Sequence, residues 1–467
     1  MTIDQLPDDV LLDIFVFYLA YPLPSLFHEG DEWHTLVHVC RRWRYVVFGS
    51  PRRLDLSLVC TNRRLGKTLD IWPELPIIIH VNETIYQLPS VTDVLSVLNL
   101  HDRVCKILFF GIPNSLLKEV ATMTSEPFPA LIELVLVLAS CEEDPRILPD
   151  SFLGGSAPRL RSLDLCGIPF PEIGKLLLST RGLVDLSLDF VPPSGYISPE
   201  AMVPILSALT KLKSLHLRFH IPFATHGASQ RPPALTRVVL PALTKFSFYG
   251  NSEYLVYIVS RIDAPLDCVA VTFSDEIVVS DIPLIRDFID RTKLLNAPYR
   301  AETSFSSIDS SISLFQRKGD INFKVLSLEI QLLSFALGSQ ISSLAQACSS
   351  LLPPLSSLEH LGIYKYRSVP TLWDHEVDTT QWMELLRLFI TVKDLVLDEQ
   401  LIVSVAPTLQ ELVGEQGTEI LPALQNIFIK GCQSSGQVPE GITKFIAARE
   451  RFGHPVIVYN REKQWQY

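Results

Sequence analysis

Three segments in the middle of the chain repeat one short pattern of leucines: Leu160-Arg161-Ser162-Leu163-Asp164-Leu165, Leu183-Val184-Asp185-Leu186-Ser187-Leu188 and Leu212-Lys213-Ser214-Leu215-His216-Leu217. In each segment the first leucine is followed by a second leucine three positions later and by a third two positions after that. The spacing of two between the last pair is that of a strand with one buried face. The pattern therefore predicts a series of short, half-buried strands.

The same apolar triplet returns along the rest of the chain. The further copies are Val104/Ile107/Phe109, Leu131/Leu134/Leu136, Leu243/Phe246/Phe248, Leu266/Val269/Val271, Phe323/Leu326/Leu328, Leu358/Leu361/Ile363, Val392/Leu395/Leu397 and Leu424/Ile427/Ile429. Leucine-rich repeats run about 20–29 residues, so this array is a long and irregular version of that class. The widest gap between copies predicts one degenerate repeat in the Ser-rich stretch 303–313.

Helical patterns fill the gaps between the triplets. Ser198-Pro199-Glu200 and Asn251 are predicted to cap two of these helices. Strand and helix in alternation, with a parallel return, predict a leucine-rich-repeat-like α/β solenoid over 104–460, with a parallel sheet and a right-handed superhelix, and a polar tail at 461–467. A doubly wound α/β enzyme shares this alternation, but the sequence contains none of its Gly-rich phosphate-binding motifs.

The residues between the apolar members of each triplet are predicted to face solvent. Arg218, Tyr249 and Tyr364 are the candidate substrate-binding residues on that face. Aromatic and Arg side chains carry much of the binding energy at protein interfaces. The competing interpretation of the same positions is a plain solvated sheet face.

The N-terminal segment begins with a second informative pattern. Pro7 suits the first turn of a helix, and Asp8 and Asp9 complement the positive end of its dipole. From there apolar residues recur at helical spacing: Val10, Leu11, Ile14, Phe15, Tyr18 and Leu19. This set is too wide for a helix with one buried face. It fits either a helix that packs on its own domain and also meets a partner, or an ordinary core helix that is buried on two sides.

With the block Cys40-Arg41-Arg42-Trp43-Arg44 and Pro51, residues 3–51 resemble an F-box. The segment after Pro51 and the end of the chain are similar to those of fungal, and in particular basidiomycete, F-box proteins. The connection from Tyr18 to Trp33 is several residues longer than is usual in the family. The resemblance implies an F-box over 1–60, a junction and N-terminal cap over 61–103, and docking on a Skp-type adaptor. It implies these adaptor-binding residues: Leu6, Pro7, Val10, Leu11, Ile14, Phe15, Cys40 and Trp43.

Composition narrows the class of function. The chain has 467 residues and a net charge of −11, which disfavours nucleic-acid binding. The eight Cys residues are scattered without a Cys-x-x-Cys motif, so the sequence predicts neither a metal site nor disulfides, and a cytoplasmic or nuclear location. No apolar run is long enough to predict a membrane span. No cofactor motif is found.

Two local features leave alternatives open. The basic run from Arg41 to Lys67 is either a docking surface for an acidic partner or a solvated face. His34 and His38 have the spacing of helical metal ligands, but they lack the His-Glu-x-x-His frame, and packing is the preferred interpretation.

The sequence thus favours a non-enzymatic protein. The first hypothesis is the substrate-recognition subunit of an SCF-type (Skp, cullin, F-box) ubiquitin ligase, with the solenoid binding an unknown protein substrate. The alternative is a leucine-rich-repeat interaction scaffold without a ligase role. A third hypothesis is an enzyme whose site is assembled in space and leaves no motif.

Overall fold

The computed structural model describes most of the chain. The described residues are 3–20, 33–61, 69, 72–83, 90–139, 147–219, 237–274, 277–292, 298–306, 308–319, 321–331, 336–353, 355–366, 377–411, 420–431 and 440–461. The chain divides into two compact units, Met1–Leu212 and Lys213–Tyr467. The predicted tail at 461–467 lies outside the described residues except for Arg461.

The first unit begins with three helices, α1 (Asp8–Ala20), α2 (Trp33–Val39) and α3 (Arg41–Gly49). Their buried apolar side chains form one cluster that also includes Leu58 and Leu75 from the start of the sheet. The indole Nε1 of Trp33 donates a hydrogen bond of 2.9 Å to the carbonyl oxygen of Ser57. The helices are therefore packed onto the first strand rather than forming a separate body.

A six-stranded sheet follows in this unit, with every described pair of neighbouring strands parallel. Its strands are β1 (Leu58–Thr61), β2 (Ile77–Asn82), β3 (Val104–Ile112), β4 (Glu133–Leu138), β5 (Ser162–Cys166) and β6 (Asp185–Val191). The helices of this part are α4 (Val91–Leu98), α5 (Asn114–Met123), α6 (Ile173–Ser179) and α7 (Pro199–Ala208). The sheet thus begins at Leu58, well before the first predicted triplet, because Leu58, Ile77 and Ile79 are also buried.

The second unit continues the alternation of strand and helix. Its strands are β7 (Ser214–Phe219), β8 (Val238–Val239), β9 (Lys245–Gly250), β10 (Ile262–Asp263), β11 (Cys268–Phe273), β12 (Arg300–Phe305), β13 (Asp309–Lys318), β14 (Ile321–Gln331), β15 (His360–Lys365), β16 (Asp394–Asp398), β17 (Asn426–Lys430) and β18 (Ile457–Arg461). Its helices are α8 (Ser252–Val259), α9 (Ile282–Asp290), α10 (Leu337–Leu351), α11 (Thr379–Leu386), α12 (Glu399–Glu411) and α13 (Glu440–Arg451). Strands β8 and β10 pair with each other in a separate two-stranded sheet.

One segment of the second unit departs from the parallel pattern. The order in its large sheet is β7-β9-β11-β14-β13-β12-β15-β16-β17-β18, and β13 runs antiparallel to both of its neighbours. The single degenerate repeat predicted at 303–313 is therefore replaced by a three-stranded antiparallel meander. Its serines pair across strands, with Ser304 Oγ 2.7 Å from Ser311 Oγ and Ser313 Oγ 3.3 Å from Ser327 Oγ.

The predicted apolar triplets form the core. Every member of ten of the eleven triplets is buried. The exception is Phe323, which is 44% exposed although Leu326 and Leu328 of the same triplet are buried. Strand β11 pairs with β14 only from Val269 and Leu326 onward, so Phe323 lies beyond the neighbouring strand and cannot be covered by it.

Two predicted helix caps are confirmed. The side chain of Ser198 accepts a hydrogen bond from the backbone N–H of Ala201 at the start of α7, and that of Asn251 accepts one from Tyr254 at the start of α8. Each satisfies an N–H that has no partner inside its helix. The fold class is confirmed as a mixed α/β, mostly parallel sheet of the leucine-rich-repeat type, while the right-handed superhelix remains a prediction.

Two substitutions within β14 test the assignment of buried and exposed positions. Leu326→Ala is expected to lower the free energy of unfolding by about 2–5 kcal/mol, because it leaves a cavity in the core. Phe323→Ala is expected to cost less than about 1 kcal/mol because the ring is largely solvated. Urea unfolding followed by circular dichroism measures both, and equal losses would contradict the register of β14.

Candidate interaction surfaces

Helix α1 has a buried face and an exposed apolar face. Leu11, Leu12 and Phe15 lie in the core, and the ring centroid of Phe15 is 4.7 Å from that of Trp43 on α3. The helix begins directly after Pro7, whose carbonyl oxygen accepts a hydrogen bond from the N–H of Leu11 at 3.1 Å. This packing fixes which way the remaining side chains of the helix point.

The exposed face of α1, hereafter the α1 outer face, consists of Val10, Ile14, Phe17 and Tyr18. They are 40%, 43%, 68% and 47% exposed, respectively. Their spacing of four, seven and eight residues from Val10 places them on one side of the helix. Phe17 was absent from the predicted set, although its position relative to Val10 and Ile14 fits the same periodicity.

The residues predicted to bind the adaptor thus divide into two groups. Val10, Ile14 and Pro7 are exposed, whereas Leu11 and Phe15 have none of their surface accessible and act in packing, which corrects their predicted contact role. The other members take supporting positions. Leu6 and Trp43 are half-buried against the core, and exposed Cys40 caps α3 by accepting a hydrogen bond from the N–H of Trp43 at 3.4 Å.

Three arginines of the basic run have partners within the first unit, whereas Arg41 and Arg52 are exposed. Arg42 makes an ion pair of 2.7 Å with Asp8, and Arg53 pairs with Asp13. Arg44 donates a hydrogen bond of 3.1 Å to the carbonyl oxygen of Val37. The first two contacts tie α3 and the following turn to α1, and the third ties α3 to α2. Because 36% of the Arg42 side chain and 53% of the Arg53 side chain stay accessible, both sequence interpretations remain predictions. Arg63, Arg64 and Lys67 lie outside the described residues.

The two histidines of α2 pack against an aromatic side chain. The ring of His34 stacks on Trp72 with centroids 4.9 Å apart, and His38 meets the same indole edge-on at 6.0 Å. Packing is therefore the role that the contacts support for these residues.

In the second unit, strand register aligns the predicted substrate-binding residues in one solvent-facing row across the sheet. The register links Arg218, Tyr249, Thr272, Glu329, Ser311, Ser304 and Tyr364. Arg218 and Tyr249 are direct neighbours, but five strand steps separate Tyr249 from Tyr364. At about 4.8 Å per step these two tyrosines are about 24 Å apart. The predicted group of three therefore forms two separate clusters.

The first cluster is centred on Tyr249. The guanidinium carbon of Arg218 lies 4.8 Å from the Tyr249 ring centroid, and the Tyr249 hydroxyl donates a hydrogen bond of 2.5 Å to Oε1 of Gln331. Burial raises the pKa of the Tyr249 phenol despite the charge of Arg218. The phenol is therefore a neutral hydrogen-bonding group that bridges from β9 to β14.

Glu329 lies beside this cluster, in an environment that disfavours the ionised form of its carboxyl group. Burial, together with the charge of Asp309, raises the pKa of the Glu329 carboxyl. Hydrogen bonding by Gln331 and the charge of Arg218 act in the opposite direction but do not cancel these effects. The ionised carboxylate is thus held at a cost in the folded protein.

The second cluster is centred on Tyr364. The Nζ of Lys430 lies 4.9 Å from the Tyr364 ring centroid, and the ring crosses directly over Gly362, where a Cβ atom would come within 2.4 Å of it. Burial lowers the pKa of Arg300, but the ion pair with Glu302 and the hydrogen bond with Tyr364 outweigh it and hold that pKa above its ordinary value. Tyr364 is thus fixed between two cations.

Two further groups of side chains on the same face contact one another, which the sequence did not indicate. His360 Nδ1 lies 2.9 Å from Asp394 Oδ2, while Asn426 donates a hydrogen bond of 2.7 Å to Asp394 Oδ1. The rings of Phe428 and Tyr459 stack with centroids 5.0 Å apart. These five residues lie at alternate positions of β15 to β18, so the period of two places them on this face. Only the strand register shows that they contact one another.

Within the described ranges, no group of three or more His, Cys, Asp or Glu residues is arranged to hold a metal ion. Over the same ranges, every helix is too short or too polar to cross a membrane.

Comparisons with known proteins add little to this description. No protein-family model matches the chain, and no curated protein matches it. Among solved structures, the chain is similar to the leucine-rich repeat-containing protein LegL7 from Legionella pneumophila, with 12% identity, coverage of 84% of this chain and 97% of that chain, and a TM-score of 0.29. So distant a likeness carries no argument, and the fold class rests on strand register and burial. Folds of this repeat type present extended surfaces for protein partners.

The raised pKa of Glu329 predicts a pH-dependent effect on stability. Its folded-state pKa exceeds the ordinary value of 4.5, so the stability it contributes is present below that value and is lost as pH rises through the folded pKa. Glu329→Gln is therefore expected to raise the free energy of urea unfolding at pH 7 and to change it little near pH 4. Glu302→Gln, which breaks an ion pair, should lower it at pH 7. A loss of stability at pH 7 in Glu329→Gln would contradict the argument.

Proposed function

We propose that the chain is the substrate-recognition subunit of an SCF-type ubiquitin ligase. In this proposal the α1 outer face docks on a Skp-type adaptor, and the sheet face of the second unit holds a protein substrate. The chain supplies no reacting group. It acts by bringing the substrate close to a ubiquitin-conjugating enzyme held elsewhere in the assembly, in the cytoplasm or the nucleus.

The observation that carries the proposal is the α1 outer face itself. Single exposed apolar residues are ordinary, but four on one side of one helix are a feature of protein-interaction sites. This face lies in the very segment whose Leu6-Pro7 pair and Cys40 to Arg44 block resemble an F-box. Sequence likeness and surface chemistry therefore support the same role for the same helix.

The packing beneath the α1 outer face supports the role further. Phe15 and Trp43 hold the helix from below, and the ion pairs of Arg42 and Arg53 hold it from its polar side. A docking helix that is already fixed loses less conformational entropy on binding. The residues of this segment that are not exposed thus contribute by preorganisation rather than by contact.

For the substrate end, the Tyr249 and Tyr364 clusters offer aromatic rings with attached cations. Such residues are enriched among interface hot spots. Because these clusters are about 24 Å apart, an extended or folded partner that contacts both must span much of the sheet face. The protein class, an interaction scaffold, does not depend on the identity of the adaptor.

Charge introduced into the α1 outer face is expected to abolish adaptor binding. Val10→Asp combined with Ile14→Asp places two carboxylates in a contact that must lose water. The dissociation constant for a purified Skp-type adaptor should rise at least about 100-fold, about 2.7 kcal/mol. Calorimetric titration of the intact chain measures the change. Leu6 is unsuitable for this test because it packs partly against the core.

A matched control separates the contact from a general effect of charge. Val91→Asp combined with Val403→Asp alters two other exposed valines, 40% and 80% accessible, on α4 and α12. This variant should bind the adaptor like the wild type. If the α1 variant keeps its affinity while remaining folded, the F-box assignment fails, and an interaction scaffold without a ligase role becomes the better reading.

Affinity purification with mass spectrometry provides a second prediction. Wild-type chain is expected to recover the adaptor and a cullin together with substrates, whereas the α1 double variant should keep the substrates and lose the adaptor and cullin. Point variants are preferable to deletion of residues 1–60, because Leu58 belongs to β1 and several of the deleted side chains complete the core. If the α1 double variant loses the substrates together with the adaptor and the cullin, the proposal that adaptor and substrate bind to independent surfaces is contradicted.

A further inference from the structure

The β13–β14 hairpin extends beyond its neighbouring strands. Pairing with β12 starts at Phe315, opposite Arg300, and pairing with β11 starts at Leu326. The two hairpin strands continue to pair with each other up to Lys318 and Ile321. The hairpin end, residues 316–319 and 321–324, therefore lacks a described strand on either side.

The solvent-facing side of the hairpin end is basic. Phe315 is opposite Lys324 in the register, and Arg317 is opposite Asn322. Alternate residues of a strand share a face, so these four side chains continue the face on which Arg300 lies. The Nζ of Lys324 is 5.8 Å from the Phe315 ring centroid, and the guanidinium carbon of Arg300 is 5.7 Å from it. Phe315 is thus an aromatic ring flanked by two cations.

Lys245 extends this basic surface toward β9. Lys245 pairs in register with Cys268, and the charges of both Lys245 and Lys324 act on the Cys268 thiol. Burial raises the pKa of that thiol, and the charge of Asp267 adds a small further rise. The charges of the two lysines lower the same pKa, and each has a larger effect than Asp267. Two strand steps place Lys245 and Lys324 about 10 Å apart. Lys245, Lys324 and Arg317 are hereafter the basic row.

Among the described residues, no carboxylate forms an ion pair with a cation of the basic row, although the charge of Lys324 acts on the Glu329 carboxyl. Several cations on or beside other strands do form ion pairs: Lys106 with Glu133 at 2.9 Å, Lys393 with Glu359 at 2.7 Å, and Arg300 with Glu302. The Nε of Arg317 instead donates to the carbonyl oxygen of Gly319 at 3.2 Å, and Lys245 and Lys324 are exposed. In a chain with a net charge of −11 this is a local excess of positive charge.

We propose that the basic row and Phe315 dock an acidic, partly apolar, extended segment of a protein partner. The proposal deepens the substrate-binding half of the proposed function and rests on it. An extended segment advances about 3.3 Å per residue, so acidic residues two or three positions apart match the spacing of Lys245 and Lys324. An apolar residue placed beyond the acidic residue that meets Lys324 would meet Phe315, which is opposite Lys324 on β13.

A protein segment fits this surface better than a nucleic acid. Asp267 and Glu329 lie near the basic row and would repel a continuous phosphate backbone. A peptide can place its few acidic side chains on the cations and avoid these carboxylates. The surface therefore favours a segment with spaced acidic residues over a uniform polyanion.

The test uses the full chain and a short fluorescein-labelled peptide of repeated Glu-Glu-Leu. Fluorescence anisotropy is expected to detect binding that weakens as NaCl rises from about 50 to about 300 mM, since exposed charges are screened. Lys245→Glu combined with Lys324→Glu should raise the dissociation constant at least about tenfold. Arg317→Glu should weaken binding in the same direction.

Controls distinguish this surface from general attraction. Lys118→Glu combined with Arg181→Glu changes two exposed cations of the first unit by the same total charge, and it should bind the peptide like the wild type. A Lys-Lys-Leu peptide should not bind. Unchanged affinity in the Lys245/Lys324 variant, or a single-stranded oligonucleotide that displaces the peptide more effectively than unlabelled peptide, would overturn the proposal.

The same variants separate this inference from the adaptor hypothesis. The Val10/Ile14 double variant is expected to keep peptide binding, and the Lys245/Lys324 variant is expected to keep adaptor binding. Loss of peptide binding in the first would contradict a site confined to the basic row, whereas failure of the wild type to bind the adaptor would leave the peptide result intact.

Discussion

Burial of the apolar triplet residues is the constraint from which the other features of both units follow. Leu163 on β5 lies in register between Leu134 on β4 and Leu186 on β6, and all three are buried. Each strand can hide its apolar side only against its neighbours and the covering helices, so stacking rather than any single repeat provides stability. At about 25 cal/mol per Å² of apolar surface, a ladder of such residues supplies the dominant favourable term of folding.

The same register that aligns the core also aligns the opposite face. Because side chains alternate across a strand, fixing Phe246 and Phe248 inside fixes Lys245, Ser247 and Tyr249 outside. The rows of solvent-facing residues are thus a consequence of core packing. The Tyr249 hydroxyl reaches Gln331 on β14 across β11, which places Thr272 in register with Tyr249.

The sequence predicted the core more reliably than the connections and the sites. Period-two spacing identifies a buried strand whatever its direction, so the triplets located the core, but they could not reveal that β13 reverses or that Phe323 extends past β11. At the N-terminus the periodicity indicated a two-sided helix. The sequence could not show which aromatic residue of the helix is buried. Phe15 is buried because it packs on Trp43, which is distant from it in sequence, and Phe17 is exposed. Likewise, the sequence left the role of the basic run open, because the ion pairs of Arg42 with Asp8 and of Arg53 with Asp13 join residues distant in sequence.

The antiparallel insertion also explains why unpaired charge collects where it does. In a regular parallel array, a solvent-facing cation has cross-strand neighbours on both sides, and selection can provide an acidic one, as Lys106 has in Glu133. At the hairpin end both neighbouring strands have ended. Arg317 and Lys324 are therefore opposite only Asn322 and Phe315 in the strand register, while Tyr299 donates a hydrogen bond to Asn322 from the side of β12. An interruption that leaves the adjacent core intact thereby creates a surface whose positive charge is only partly offset by nearby carboxylates such as Glu329.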